Sequence, residues 1–79
     1  MLLERHFVNG DHVHRFMVRT DDVEGWIVRE DEDSTVLCEK RQYDWRHVEW
    51  AALLFERTAA LLERKGWVER PPKMPTRRQ

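Results

Sequence analysis

The chain contains one cysteine, three glycines and no long apolar run, and each shortage excludes a class of structure. The single thiol, Cys38, cannot form a disulfide within the chain and is typical of proteins in a reducing cytosol. Three isolated glycines cannot form the glycine-rich loop that surrounds bound phosphates. The longest apolar run, at 50–55, is far shorter than the roughly 18 residues of a membrane span. The charged N-terminus also lacks the apolar core of a signal peptide, so we expect a cytoplasmic protein without a membrane partner.

A strong net charge is also missing, since the formal value at pH 7 is -1. Residues 70–79 carry four of the fourteen basic side chains and no acidic one, which leaves ten basic against fifteen acidic side chains in residues 1–69. We interpret residues 1–69 as one acidic domain and residues 70–79 as a basic Pro/Arg-rich tail with too little apolar content to fold. An acidic domain lacks the broad basic surface that is typical of nucleic-acid-binding proteins.

A turn signal predicts the first two strands. Asn9-Gly10 lies between two β-prone segments, and this dipeptide is the strongest short signal for a hairpin with a two-residue turn. The turn places Glu4 opposite Arg15, and opposite charges that face each other across two strands are favourable. The segment therefore predicts an antiparallel hairpin.

Two further strands complete the predicted sheet. A second hairpin with its turn at 21–22 places Met17 opposite Trp26, and the acidic segment 30–34 leads into a fourth strand at 35–41. The sequence thus predicts a four-stranded antiparallel β-meander, and alternation along the strands assigns two apolar faces. The first face has Leu3, Phe7, Phe16, Val18, Ile27, Val36 and Cys38. The second face has Leu2, Val8, Val13, Met17, Trp26, Val28 and Leu37.

The segment QYDWRHVEW, at 42–50, gathers Asp44, Arg46 and His47 and raises the question of an active site. Helix capping explains it better, because the Asp44 carboxylate can accept from the free N–H groups of a first helical turn. The helix is predicted to run to Gly66, since a left-handed glycine ends many helices. We expect one long C-terminal helix packed on one face of the meander, which makes the fold class α+β.

Helical periodicity separates two apolar groups on this helix. The group predicted to face the sheet contains Val48, Ala51, Ala52, Phe55, Ala59 and Leu62. The other is a narrower group of Trp50, Leu54 and Leu61, which we define as the helix strip. One helix on one sheet does not need this strip. Together with the second sheet face, it gives a short chain more apolar surface than a monomer is expected to leave exposed.

No group of residues specifies a reaction or a cofactor. His12 and His14 point to the same side of one strand, but two imidazoles are only half of the usual four-ligand zinc site, so ordinary surface histidines are preferred and metal binding stays open. Cys38 has no marked base, and the acidic residues 30–33 lack the glycine and distal glutamate of a calcium loop. We therefore predict a protein that is not an enzyme and has no cofactor, and we assign no residue as a metal ligand.

Residues 25–69 resemble the C-terminal half of a group of small uncharacterised bacterial proteins. These share a Gly-Trp strand, an acidic Asp-Ser turn, a Tyr-x-Asp-Trp-x-x-Val-Glu helix start, which this chain shortens to YDWRHVE at 43–49, and a terminal Gly-Trp. The group has no known activity. The resemblance implies a bacterial cytosolic setting and no particular chemistry.

These observations favour a small non-enzymatic protein-interaction or regulatory module that forms a homodimer and also binds another protein. The predicted interaction residues are Trp50, Leu54, Leu61, Met17, Trp26 and Val28. The alternative is a single-stranded nucleic-acid-binding protein that stacks bases on sheet aromatics and uses the basic tail. Its predicted residues are Phe7, Phe16, Arg5, Arg15, Arg77 and Arg78. The sequence leaves open the partner, the biological process, and whether the helix strip or the second sheet face forms the dimer contact.

Overall fold

The computed structural model describes residues 2–71, which form an α+β fold. The elements are β1 (Leu3–Asn9), β2 (His12–Thr20), β3 (Trp26–Glu32), β4 (Thr35–Gln42), α1 (Trp45–Arg64) and β5 (Val68–Arg70). The strands form one antiparallel sheet of order β4-β3-β2-β1-β5. The predicted α+β class and four-strand meander are confirmed, whereas β5 beside β1 was not predicted. In the described part of the chain, no helix combines the length and apolar character that crossing a membrane requires.

The first hairpin turns one residue later than predicted. Its turn lies at 10–11, with a φ of +61° at Gly10. Arg15 therefore faces His6 and not Glu4, so the predicted Glu4–Arg15 pair is wrong. In the observed register Val8 faces Val13, whereas the predicted register would place Val8 opposite Asp11, a less favourable pair. Because the register differs by an even number of residues, the faces of β1 and β2 stay as predicted.

The second hairpin has a five-residue loop instead of a two-residue turn. A hydrogen bond from the Asp21 N–H to the Gly25 carbonyl oxygen closes the loop at 3.0 Å. Met17 lies opposite Arg29, so the predicted Met17–Trp26 pair is wrong. This register differs from the predicted one by an odd number of residues, and an odd shift turns every side chain of a strand to the other face of the sheet.

The odd shift reverses both predicted faces of β3. Trp26 and Val28 were predicted on the uncovered second face, but Val28 is buried in the core and Trp26 packs against it. The ring of Trp26 lies 5.1 Å from that of Trp45, measured between centroids. Ile27, predicted on the first face, lies on the opposite side. The prediction that Trp26 and Val28 lie on the exposed face of the sheet is therefore wrong, because both lie on the face that packs against the core.

The hydrophobic core joins one side of the sheet to buried residues of α1. Its buried members are Phe7, Phe16, Val18, Val28, Val48, Phe55, Ala59 and Leu62. The rings of Phe16 and Phe55 have centroids 4.6 Å apart. We define this side as the core face and the other side as the open face. Each large apolar side chain that is fully buried stabilises a fold by about 1.5–3 kcal/mol, so this cluster is the main source of stability.

Both ends of α1 follow the predicted capping pattern. The Asp44 carboxylate accepts from the Arg46 backbone N–H at 2.9 Å, which explains this aspartate without a catalytic role. At the other end Gly66 has a φ of +97°. The Trp67 N–H donates to the Leu62 carbonyl oxygen at 3.0 Å, as in a Schellman ending. This ending returns the chain to the sheet, where β5 pairs with β1.

Candidate interaction surface

A groove of about 470 Å³ lies between α1 and the outer half of the sheet. Val28, Cys38 and Lys40 line it from the strands, and Trp50 and Leu54 line it from the helix. The helix contacts β3, β4 and β5, yet every residue of β4 except the last is exposed. The groove exists because α1 leaves most of the end strand uncovered.

The helix strip is exposed to solvent. The exposed fractions are 58% for Trp50, 42% for Leu54 and 52% for Leu61, and Leu53 beside them is also exposed. Two of these side chains, Trp50 and Leu54, also form the helical wall of the groove. The strip and the groove therefore share Trp50 and Leu54, and the role of this surface in binding stays a prediction.

Among residues 2–71, no strand lies beside the edge of the sheet next to the groove. In the described residues β4 is at the end of the strand order, so one side of its backbone is unpaired. A bulge at Leu37, which has no partner on β3, interrupts the strand, and from Cys38 to Gln42 the pairing is regular. Bulges bend an edge away from further pairing. The regular segment 38–42 is therefore the part of this edge that can accept another strand.

Charged side chains cross the open face, so the prediction of two apolar faces is wrong. Asp31 is 1% exposed and accepts from Arg15 at 2.9 and 2.8 Å and from Arg29 at 3.2 Å. The hydrogen bond from Arg15 is the largest cause that holds the pKa of Asp31 below its usual value. The same bond raises the pKa of Arg15. Of the sheet residues predicted for interaction, only Met17, opposite Arg29, lies on this face.

The aromatic residues of the nucleic-acid alternative are not accessible. Phe7 and Phe16 are 0% exposed in the core, so they cannot stack on a base. The three aromatic residues in β1–β4, which include Trp26, all alternate onto the core face. Arg15 is held by its two bonds to the buried carboxylate on the open face. This part of the alternative is therefore wrong, because the predicted stacking platform lies inside the protein.

The other basic residues of that alternative do not restore it. Arg5 donates to Glu69 at 2.9 and 2.8 Å and to Glu56 at 2.7 Å, which ties β1 to β5 and to α1. The hydrogen bond to Glu69 is the largest cause that raises the pKa of Arg5 and also the largest that lowers the pKa of Glu69. Arg77 and Arg78 lie outside the described residues. No described arginine of the set is available as a free phosphate-binding group.

His12 and His14, which we interpreted as ordinary surface histidines with metal binding left open, both lie against carboxylates, and His14 is not a surface residue. His14 is buried, with Nδ1 2.8 Å from Glu32 and Nε2 2.7 Å from Glu30. His12 is exposed, and its Nδ1 lies 2.7 Å from Asp33. The bond to Asp33 is the largest cause that raises the pKa of His12, and it lowers the pKa of Asp33 in turn. Within residues 2–71, no group of three or more ligating side chains is arranged to hold a metal ion.

Sequence reasoning missed part of this surface. Cys38 and Lys40 line the groove, but the predictions assigned neither to an interaction site. The sequence signal that could have identified them is the alternation along β4, which places Cys38 and Lys40 on the same side of the strand as Gln42. That signal could be used only with the correct register between β3 and β4, because Lys40 faces Val28 on the core face.

Comparisons with known proteins do not assign a family. A scan against family models and searches of curated proteins and of solved structures returned no match for this chain. The resemblance of residues 25–69 to small bacterial proteins stays a prediction. The surface features that bear on function are therefore the groove, the helix strip and the edge of β4.

Proposed function

We propose that the protein is a small non-enzymatic interaction module that works as a homodimer. The observation that carries the proposal is the exposed helix strip beside an edge strand that is exposed and, among residues 2–71, unpaired on its outer side. An exposed apolar patch and a free sheet edge are each a surface feature through which proteins associate. We also place the protein in the cytoplasm, because the thiol of Cys38 is free and exposed and would persist in a reducing compartment.

The size of the strip sets the strength of the dimer. Its three side chains are each about half exposed, so burying the rest would contribute about 1 kcal/mol per side chain, or about 6 kcal/mol for two copies. Association itself costs about 4 kcal/mol or more. The strip alone therefore supports only a weak dimer, and the proposal needs a second contact from the same surface. The unpaired backbone of β4 is the nearest source of one.

The experiment is a mass measurement in solution. Size-exclusion chromatography with light scattering over about 1 µM to 1 mM should show a monomer that converts to a dimer, with a dissociation constant of about 1–100 µM. Leu54→Glu places a charge in the strip and should weaken the dimer at least about tenfold, since a buried unpaired charge is costly. Ala60→Glu is the matched control, because Ala60 is exposed on the same helix outside the strip.

Three outcomes decide the proposal. A wild-type chain that stays monomeric at the highest concentration contradicts it. An equal effect of Leu54→Glu and Ala60→Glu, with both variants folded by circular dichroism, also contradicts it, because the strip would then have no special role. Loss of dimer only in Leu54→Glu supports it.

A further inference from the structure

We infer that two copies join edge to edge through β4, antiparallel about a two-fold axis at Lys40, so that Glu39 of each copy faces Arg41 of the other. The two five-stranded sheets then form one continuous sheet of ten strands. This inference rests on the proposed function, because it names the partner as a second copy and specifies its register. It concerns the second contact that the helix strip alone does not provide.

Of the two edges of the sheet in the described residues, the edge at β4 is the better suited to pairing. At the other end of the sheet β5 has only three residues, Val68–Arg70, and it is followed by Pro71, which has no N–H to donate. β4 has eight residues, and all but the last are exposed. Within it, the regular segment 38–42 can present backbone N–H and C=O groups to another strand.

Symmetry restricts how two β4 strands can pair. We define the seam as the line along which the two β4 strands pair. If the two-fold axis keeps both core faces on the same side of the joint sheet, each core-face residue of one copy pairs with a core-face residue of the other. In β4 these are Cys38, Lys40 and Gln42, which lie opposite Glu30, Val28 and Trp26 on β3. In such a seam one residue lies at the two-fold axis and faces the same residue of the other copy. The residue before it faces the residue after it in the other copy, and the reverse.

The charges of β4 indicate which residue lies at the two-fold axis of the seam. A seam centred on Glu39 would oppose two glutamates, and one centred on Arg41 would oppose two arginines, both of which are unfavourable. A seam centred on Cys38 would run into the bulge, and one centred on Gln42 would have little strand on one side. A seam centred on Lys40 makes two Glu39–Arg41 pairs. It opposes one pair of lysines, whose long side chains can diverge into the two grooves.

The helices support the same arrangement. In each copy Trp50 and Leu54 line the same groove as Cys38 and Lys40 of β4. With both core faces on one side, the two helix strips lie on the same side of the joint sheet and flank the seam. The seam therefore brings together the apolar surface of the strips and the unpaired backbone of the edge.

The charges of β4 also make contacts within one copy. Arg41 lies 2.9 Å from Asp21, and Glu39 lies 3.6 Å from Arg29. Charged residues on an edge strand can also serve to prevent pairing. The tests must therefore separate a seam from contacts inside one copy and from a protected edge.

Cysteine crosslinking tests the register. In a Cys38→Ser background, Lys40→Cys places two thiols at the axis, where the Cα atoms of facing residues are about 4.5–5.5 Å apart, within the range of a disulfide. Mild oxidation should convert most of this variant to a covalent dimer. Glu39→Cys in the same background is the control, because its two copies lie on the diagonal, about 7–8 Å apart, and should not crosslink. The native Cys38 should not crosslink either.

A charge swap tests the pairing itself. Glu39→Arg and Arg41→Glu should each raise the dissociation constant of the dimer about tenfold, because each creates two like-charged pairs across the seam. The double variant Glu39→Arg/Arg41→Glu should return to within about threefold of wild type. If these residues acted only within one copy, the double variant would not recover, because Asp21 and Arg29 are unchanged.

The outcomes separate this inference from the proposed function. A dimer that loses affinity in Leu54→Glu, but that neither crosslinks through Lys40→Cys nor recovers in the double swap, overturns the seam and leaves the interaction module standing. A chain that is monomeric throughout overturns both. Crosslinking at Lys40→Cys but not at Glu39→Cys, together with recovery in the double swap, supports the seam.

Discussion

Gly25→Ala is expected to destabilise the fold far more than the same change at the other described glycines. Gly25 has a φ of +83°, a conformation that alanine adopts with strain. A Cβ atom at this position would lie 2.5 Å from the carbonyl oxygen of Gln42 and 3.1 Å from Cδ1 of Tyr43. The first contact is with backbone at the end of β4, so a rotation of a side chain cannot relieve it.

The expected loss is about 3 kcal/mol of unfolding free energy. Positive φ costs alanine about 1–2 kcal/mol, and the reduced freedom of the unfolded chain offsets about 0.4–1 kcal/mol of this. Forcing apart the loop and the end of β4 adds about 1–3 kcal/mol, the usual cost of an overpacked site. A loss of this size is a large fraction of the about 5–15 kcal/mol that stabilises a typical domain.

Gly10 and Gly66 are suitable controls, because their φ values lie below and above that of Gly25. Their φ values are +61° and +97°, and no atom lies within 4 Å of a Cβ at either position. Alanine there should cost about 1 kcal/mol each. Urea unfolding followed by tryptophan fluorescence measures all three variants, with unchanged m-values as the check on two-state behaviour. If Gly25→Ala costs no more than either control, the argument from its contact with Gln42 is refuted.

Two further predictions concern charge, and a third concerns nucleic acid. Asp31→Asn should lower the unfolding free energy by about 2 kcal/mol, because Asp31 is buried against two arginines. Since the folded state lowers its pKa, this contribution is complete above about pH 4 and is lost as the pH falls through the lowered pKa, so acid unfolding should be shallower in Asp31→Asn. The pKa of His12 is raised by Asp33, so their ion pair is complete below about pH 6.5 and is lost as the pH rises through the raised pKa. In an NMR titration, Asp33→Asn should lower the pKa of His12. Labelled single-stranded oligonucleotides should show no saturable change in anisotropy at physiological salt, since the stacking aromatics are buried.

The features that depend on a few neighbouring residues could be predicted from the sequence. The start of α1 at Asp44 and its end at Gly66 follow from capping, which involves only the first and last turns of a helix. The strip of Trp50, Leu54 and Leu61 follows from helical periodicity, and these residues are exposed. Each of these predictions uses contacts within about four residues, so no knowledge of strand pairing was needed.

The face of β3 could not be predicted, because it depends on the length of a loop. Alternation gives a strand two faces but does not say which one meets the core. The loop at 21–25 contains no Asn-Gly or Asp-Gly signal, and Val23 within it is exposed although it resembles a strand residue. The wrong loop length moved Trp26 and Val28 to the wrong face. With the correct register, Arg29 and Asp31 would have predicted the charged network of the open face.

Contacts between distant parts of the chain were also beyond the sequence. β5 is three residues long, and it is held by pairing with β1 and by the bonds from Arg5 to Glu69, which are 64 residues apart. No local pattern distinguishes such a segment from the start of a tail. The predicted domain boundary after residue 69 consequently falls inside β5.

The corrected face of β3 changes which surface is expected to form the dimer. With Trp26 and Val28 on the core face, the open face keeps Met17 among arginines and a buried aspartate whose hydrogen bonds are already satisfied. Covering such a face would desolvate charged groups and gain little apolar burial. Met17→Glu should therefore leave the dissociation constant of the dimer within about threefold of wild type, whereas Leu54→Glu should raise it at least about tenfold. Sedimentation equilibrium measures both. A dimer that Met17→Glu disrupts and Leu54→Glu spares would place the contact on the open face, because a new charge weakens association only where it is buried.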